Sequence, residues 1–153
     1  MDGDTKKVAD EIIRLSDWDL VDLNNYKFTY YDYEHLNYHD DFIGLMKKIT
    51  SEYDVYVFAT PVYWYSMSGI MKVFFDRISD LLTLEKEVGR SLRTKSMAVI
   101  SCSNGDKVGD HFWIPFRKSA DYLGMKYLTE IHVNSTKIMK SELSEFIYKV
   151  ENP

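Results

Sequence analysis

The chain has 153 residues, 45% hydrophobic and 28% charged, the length and balance of one soluble globular domain with a buried core. A net charge of −5 gives no basic footprint for nucleic acid, and no apolar run reaches the length of a membrane span. The acidic, polar first residues do not read as a signal peptide, and the lone cysteine, Cys102, cannot form an intrachain disulfide or alone hold zinc or an iron–sulfur cluster. The expectation is a cytoplasmic protein, one domain over residues 1–153, with neither a nucleic-acid nor a membrane partner.

In chain order, Val8, Ile12 and Leu15 share one face of a helix over 4–15, with Asp4 or Thr5 as its N-cap. Trp18 to Leu23 is short, partly alternating and polar-flanked, which predicts an outer strand. Residues 24–39 form a tyrosine-rich connection without a period. Behind the cap candidates Asp40 and Asp41, the stripe Phe42, Leu45, Met46 and Ile49 predicts a second helix.

The apolar run Val55-Tyr56-Val57-Phe58 then predicts a buried strand to Thr60, followed by a helix from about Ser66 to Leu84. After a polar link, Met97-Ala98-Val99-Ile100 predicts a second buried strand, ending at Ser101-Cys102-Ser103-Asn104-Gly105. Phe112, Phe116, Ala120 and Leu123 mark a helix with Pro115 in its first turn and Gly124 as its stop. Lys126 to Val133 alternates as a strand, and Leu143, Ile147 and Val150 give a closing helix. Strands alternating with helices, two of them apolar on both faces, call for a parallel sheet covered on both sides.

Ala59-Thr60-Pro61-Val62-Tyr63-Trp64-Tyr65-Ser66-Met67-Ser68-Gly69, continuing through Lys72, Phe75, Asp76 and Arg77, resembles the flavodoxin-like family of NADPH-dependent FMN and quinone reductases. In that family this segment is the third strand, the loop over the flavin and the third helix. Asp2-Gly3-Asp4-Thr5 resembles the end of the phosphate loop entering the first helix. The resemblance implies a three-layer α/β/α domain of sheet order 2-1-3-4-5, binding FMN and NAD(P)H. It also implies a homodimer meeting near the flavin and hydride transfer to a small acceptor such as a quinone or free flavin. Family members carry a first strand and a serine-containing turn before the Gly-x-Thr segment, so the chain reads as starting inside that turn. The Val55–Thr60 strand would then have an open edge in mid-sheet, closed either directly by the Trp18–Leu23 strand or by another chain.

By the same resemblance, Thr60, Pro61, Val62, Tyr63 and Trp64 would line the isoalloxazine, and Thr5 would remain from the phosphate turn. Thr5 is equally explained as a structural N-cap, and Asp4 would repel a phosphate. Ser66 and Ser68 read as helix caps. Ser103, Asn104 and Gly105 follow a parallel strand at its carboxyl end, where sheet geometry aims them at a ligand, although Asn-Gly is also an ordinary turn signal. His35 and His39 have the i,i+4 spacing of a metal pair, but their neighbours show no helical stripe, so no metal site is assigned. Hydride transfer through a flavin needs position and polarity rather than a nucleophile, so no catalytic side chain is named. Two alternatives stay open: a flavodoxin-type electron carrier, and a scaffold that has lost FMN binding with its phosphate loop.

Overall fold

A computed structural model describes residues 3–153; Asp2, part of the phosphate-turn resemblance, lies outside them. The elements are α1 (Asp4–Leu15), α2 (Asp41–Glu52), β1 (Val55–Pro61), α3 (Gly69–Thr83), α4 (Lys86–Ser91), β2 (Ser96–Ser103), α5 (Ile114–Leu123), β3 (Lys126–Asn134) and α6 (Lys140–Glu151). Short 3-10 turns lie at Leu23–Asn25, Leu92–Thr94 and Asp110–Phe112. Among the described residues the sheet has the order β1-β2-β3, parallel throughout.

Side-chain alternation along the strands divides the core into two layers. Ala98, Ile100 and Cys102 of β2 face α1 and α6, where they meet Val8, Ile12, Leu143, Phe146 and Ile147. Met97 joins Phe42, Met46, Phe74, Ile78 and Leu81 from α2 and α3. Val99 meets Met67, Met71, Phe112 and Phe116 on the same side. The result is the three-layer α/β/α arrangement expected from the pattern, and β2 is buried along nearly its whole length.

Several ends form for the anticipated reasons. Asp40 caps α2, its side chain accepting from the Phe42 amide, and Ser68 caps α3 by accepting from Met71. Pro115 sits in the first turn of α5, where its missing N–H costs no helical bond. Gly124 ends that helix in the left-handed region at φ 72°, which a side chain would strain.

Three expectations are corrected. Trp18–Leu23 is not a strand: the segment runs without regular structure into the Leu23–Asn25 turn, because no described strand lies alongside to complete its ladder. It therefore does not close the edge of β1. Gly3, not Asp4 or Thr5, is the N-cap of α1, and both residues lie inside the first turn. The polar link after α3 contains a short helix, α4, whose Gly89 lets it approach the carbonyl of Leu81; a Cβ there would come within 2.5 Å of that oxygen.

The tyrosine-rich connection is tied down by one buried cation. Arg77 on α3 is fully buried and pairs with Asp40 at 2.5 Å and Asp80 at 2.6 Å. It also donates to the Thr29 carbonyl at 3.1 Å, and its guanidinium lies 5.0 Å from the centre of the Phe42 ring. His35 adds a 3.1 Å bond from Nδ1 to Asp80. His35 and His39 share no helix: His35 has φ 56° within a run of turns.

Candidate functional site at the carboxyl edge of the sheet

Four connections meet where the strands end. Pro61 lies beside Cys102, and Ser103 beside Asn134. Thr5 in the first turn of α1 places its hydroxyl 2.9 Å from the Cys102 sulfur. The Ser135 hydroxyl lies 3.0 Å from an Asp4 carboxylate oxygen and 2.9 Å from the Asn104 side-chain oxygen, joining the α1 start to the loops after β2 and β3. Hydrogen bonds from Lys7 and Ser135 hold the Asp4 carboxyl below the ordinary range, so it stays ionised beside the helix start. Burial, partly offset by the Thr5 hydroxyl, pushes the Cys102 thiol up, which makes it an inert core group rather than a nucleophile.

The loop after β1 is built as a tight hairpin. Tyr63 and Ser66 exchange amide–carbonyl bonds at 2.9 and 3.0 Å, with Trp64 at φ 48° and Tyr65 at φ 64° between them. Two central residues with positive φ make a type I′ turn, a conformation normally given to Asn and Gly. For bulky side chains it costs about 1–2 kcal/mol per residue. It persists because both ends are anchored. The Val62 amide donates to the Cys102 carbonyl at 2.9 Å, and the Ser68 amide donates to the Thr60 hydroxyl at 3.0 Å. Met67, directly after the turn, is sunk in the core.

The consequence is an aromatic tip presented to solvent: Tyr63, Trp64 and Tyr65 are 62%, 93% and 75% exposed. Tyr65 lies 6.3 Å, ring centre to ring centre, from His111 in the connection after β2, so the two loops face each other. Strained backbone thus displays large exposed rings at the carboxyl edge of a parallel sheet, the edge at which open α/β sheets generally bind ligands.

The anticipated site residues therefore divide. Tyr63 and Trp64 are at the exposed tip, while Pro61 and Val62 are partly buried at its root. Thr60 is fully buried with its hydroxyl committed to Ser68; it shapes the loop from beneath. Ser103, Asn104 and Gly105 are brought to the same edge. There the Ser103 hydroxyl accepts from the Gly105 amide at 3.1 Å, and the Asn104 carbonyl accepts from Asn134 Nδ2 at 3.2 Å. Thr5 reaches the same edge, but its hydroxyl faces Cys102, leaving its own main-chain N–H as its contribution there, since the Lys6 amide already donates to the Gly3 carbonyl.

His132 escaped the sequence reading because it sits inside an alternating strand with no motif around it. Its Nε2 donates to the Gly105 carbonyl at 3.0 Å, and its Nδ1 is 2.8 Å from the hydroxyl of the fully buried Ser101. Since the carbonyl can only accept, Nε2 carries a proton, and in the neutral ring Nδ1 then accepts from Ser101. It thus clamps the Ser103–Gly105 turn to the sheet. Replacing His132 by alanine should leave the Ser101 hydroxyl buried without an acceptor. The expected loss is about 1–3 kcal/mol, read by urea unfolding, with faster amide exchange confined to residues 103–109.

Among the described residues no group of three or more His, Cys, Asp and Glu side chains is arranged to hold a metal ion, and no helix is long and apolar enough to cross a membrane. A concavity of about 430 Å³ lies elsewhere, in the tyrosine-rich connection between Thr29 and Asn37.

Parallel strands sandwiched by helices, with a strained aromatic loop at their carboxyl ends, define a flavodoxin-like α/β protein. The fold matches that of the Trp repressor binding protein from Bacillus subtilis, with a TM-score of 0.73 at 20% identity, over 95% of this chain and 90% of that one. It also matches an FMN-dependent NADH-azoreductase from Bacillus anthracis, with a TM-score of 0.61 at 15% identity, over 97% and 88% of the two chains. The chain belongs to the NADPH-dependent FMN reductase family, whose model matches residues 2–140. It is 42% identical over 43 residues to YwqN of Bacillus subtilis (strain 168), which bears the name of an NAD(P)H-dependent FMN-containing oxidoreductase. That match spans 28% of this chain and 23% of the relative.

Proposed function

We propose that this chain is an NAD(P)H-dependent FMN oxidoreductase that passes reducing equivalents to a small acceptor, a quinone or free flavin. The observation that carries the reading is the Tyr63–Ser66 turn. Trp64 and Tyr65 are held in left-handed backbone at the carboxyl edge, with rings exposed and anchors fixed on both sides. Its chemistry fits the flavin. Flat apolar faces suit a tricyclic ring, and among the described residues the amides of Trp64 and Tyr65 make no bond within the turn, so they can meet its polar edge. The first turn of α1 offers the phosphate end main-chain N–H groups and the positive end of the helix dipole. Asp4 opposes an anion there, and Lys7, 2.8 Å from it, offsets that charge.

Bound FMN would supply two-electron chemistry, taking hydride from the nicotinamide and giving it to the acceptor. Tyr63 and Trp64 cover the ring, Val62 and Pro61 set the distance of the loop from it, and Ser103 to Gly105 border it from the next strand. Thr60 and His132 hold these loops without touching the ligand. The reading includes a homodimer, supported by the exposed Tyr30, Tyr33 and Leu36 of the tyrosine-rich connection, since tyrosine is favoured in interfaces. It also places the protein in the reducing cytoplasm, consistent with its free thiol.

Titration with FMN should quench flavin fluorescence, and stopped-flow mixing with NADPH should then bleach the bound flavin. Quenching without bleaching would indicate an electron carrier; no quenching at micromolar concentrations would indicate a scaffold without cofactor. Trp64→Ala should weaken FMN about tenfold, the equivalent of ~1.4 kcal/mol of stacking, while leaving the melting temperature unchanged because the ring is 93% exposed.

A further inference from the structure

The depression in the tyrosine-rich connection, about 430 Å³ in volume, is built on pinned backbone. Arg77 donates to the Thr29 carbonyl at one end, and His35 Nδ1 lies 3.1 Å from Asp80 at the other. Between them the Asp32 carboxylate accepts from the amides of Glu34 and Leu36 at 3.1 and 2.9 Å. The frame is therefore preorganised, while Tyr30 and Tyr33 at its rim are 79% and 87% exposed. The rings of Tyr31 and Tyr33 stand 5.1 Å apart at 77°, forming a corner of the depression.

The polar groups fixed here are acceptors. Asn37 Nδ2 donates both of its hydrogens, to the Thr29 hydroxyl at 3.0 Å and to the Tyr30 carbonyl at 2.8 Å. Since that carbonyl can only accept, the orientation of the amide is set. Asn37 Oδ1 is left shielded from solvent, and among the described residues no group donates to it, a state that buried acceptors rarely keep. The Glu34 and Leu36 amides hold the Asp32 carboxyl below the ordinary range, so it stays ionised. Arg77 and His35, the groups whose charge acts on it, are bonded to Asp40 and Asp80 instead. Negative ring faces, a carboxylate and an orphaned amide oxygen together suit a cation that carries N–H donors. A compact ammonium with rotating donors reaches a single enclosed oxygen better than the rigid fork of a guanidinium.

We propose that this depression binds a primary ammonium group on an aliphatic stem, that of a free alkylamine or of a lysine side chain. The stem lies across the tyrosine rings, the charge pairs with Asp32, and one N–H satisfies Asn37 Oδ1 once a rim tyrosine changes rotamer. The proposal uses neither the aromatic turn nor the α1 start, so it stands apart from the flavin reading. A second copy meeting the chain through Tyr30, Tyr33 and Leu36 would compete for the same surface.

The probe is n-butylammonium, the head and stem of lysine alone, titrated to millimolar concentration into the isotope-labelled 153-residue chain and followed by NMR. The Asn37 side-chain amide and the Glu34 and Leu36 main-chain amides should shift together and saturate. Two controls should bind roughly tenfold more weakly: n-butanol, which lacks the charge, and tetramethylammonium, which lacks the N–H donors. The source is a polypeptide if Nα-acetyl-lysine methylamide binds more tightly than n-butylammonium, and a free amine otherwise. Asp32→Asn should weaken binding about fivefold. Tyr33→Leu should weaken it about threefold without affecting folding, because the side chain is 87% exposed. The proposal is overturned if the three amides do not saturate with n-butylammonium, closure of the depression by a second copy included. It is also overturned if either control binds as tightly, or if both variants bind as the parent chain does.

Discussion

Arg77→Met should cost about 3–5 kcal/mol of folding stability at neutral pH, the range found when one member of a buried ionic cluster is removed. Methionine keeps much of the aliphatic stem but leaves Asp40 and Asp80, 15% and 2% exposed, without the guanidinium. The Thr29 carbonyl loses its donor and the Phe42 ring its cation. In urea the midpoint should fall by about 1–5 M at a slope of roughly 1–3 kcal/mol per molar.

The pH dependence supplies the check on mechanism. Burial opposes ionisation of Asp40, but hydrogen bonds from Arg77 and from the Phe42 and Thr29 amides win and hold its carboxyl below the ordinary aspartate value of 3.8. Its folded-state pKa is depressed, so its contribution is present above pH 3.8 and disappears as pH falls through the folded value. In Arg77→Met the Asp40 carboxylate stays partly buried without its cation, burial is no longer outweighed, its folded-state pKa rises, and protonation becomes favourable to the folded form. The stability gap between the two proteins should therefore narrow from pH 7 to pH 4. A gap that stays constant over that range would show that Arg77 acts through packing alone.

The second large effect is expected at Phe116, fully buried on α5. Its ring lies 5.4 Å from Phe75 and 5.9 Å from Phe112, within the cluster that includes Met67 and Val99. Truncation to alanine removes the transfer energy of the ring and leaves a void, about 3–5 kcal/mol together. For a chain of this size that lowers the melting temperature by roughly 6–20 °C. Because Met67 follows the aromatic turn and Phe112 belongs to the opposing connection, both walls of the site rest on this ring. FMN affinity should fall together with stability, unlike in Trp64→Ala, where affinity falls alone. Calorimetry with and without FMN separates the two cases.

The contrast between what was legible and what was not follows from where the information lies. Val55–Pro61, Ser96–Ser103 and Lys126–Asn134 were readable because strands covered on both faces must be apolar or alternating over a short span. Asp4–Leu15 and Ile114–Leu123 were readable from their stripes and, for the latter, from Pro115 and Gly124. Trp18–Leu23 misled because alternation records only a side-chain pattern, whereas a strand exists through hydrogen bonds to a neighbour. The place of Thr60 under its own loop, and of His132 behind Gly105, depends on pairings between residues 8 and 27 positions apart. Local patterning carries no trace of these. Arg77 was visible as part of the family-like segment, but its role as anchor for the tyrosine-rich connection arises only when α3 folds against Asp40.

The contact between Thr5 and Cys102 turns the sole sulfhydryl of the chain into a latch indicator. Shielded at 2% exposure and shifted toward its neutral form by burial, it is inaccessible to an alkylating reagent while the start of α1 stays seated on the second strand. Modification then reports openings that uncover this part of β2, by departure of that helix end or by unfolding of the sheet, and mass spectrometry of an iodoacetamide time course counts them without any engineered label.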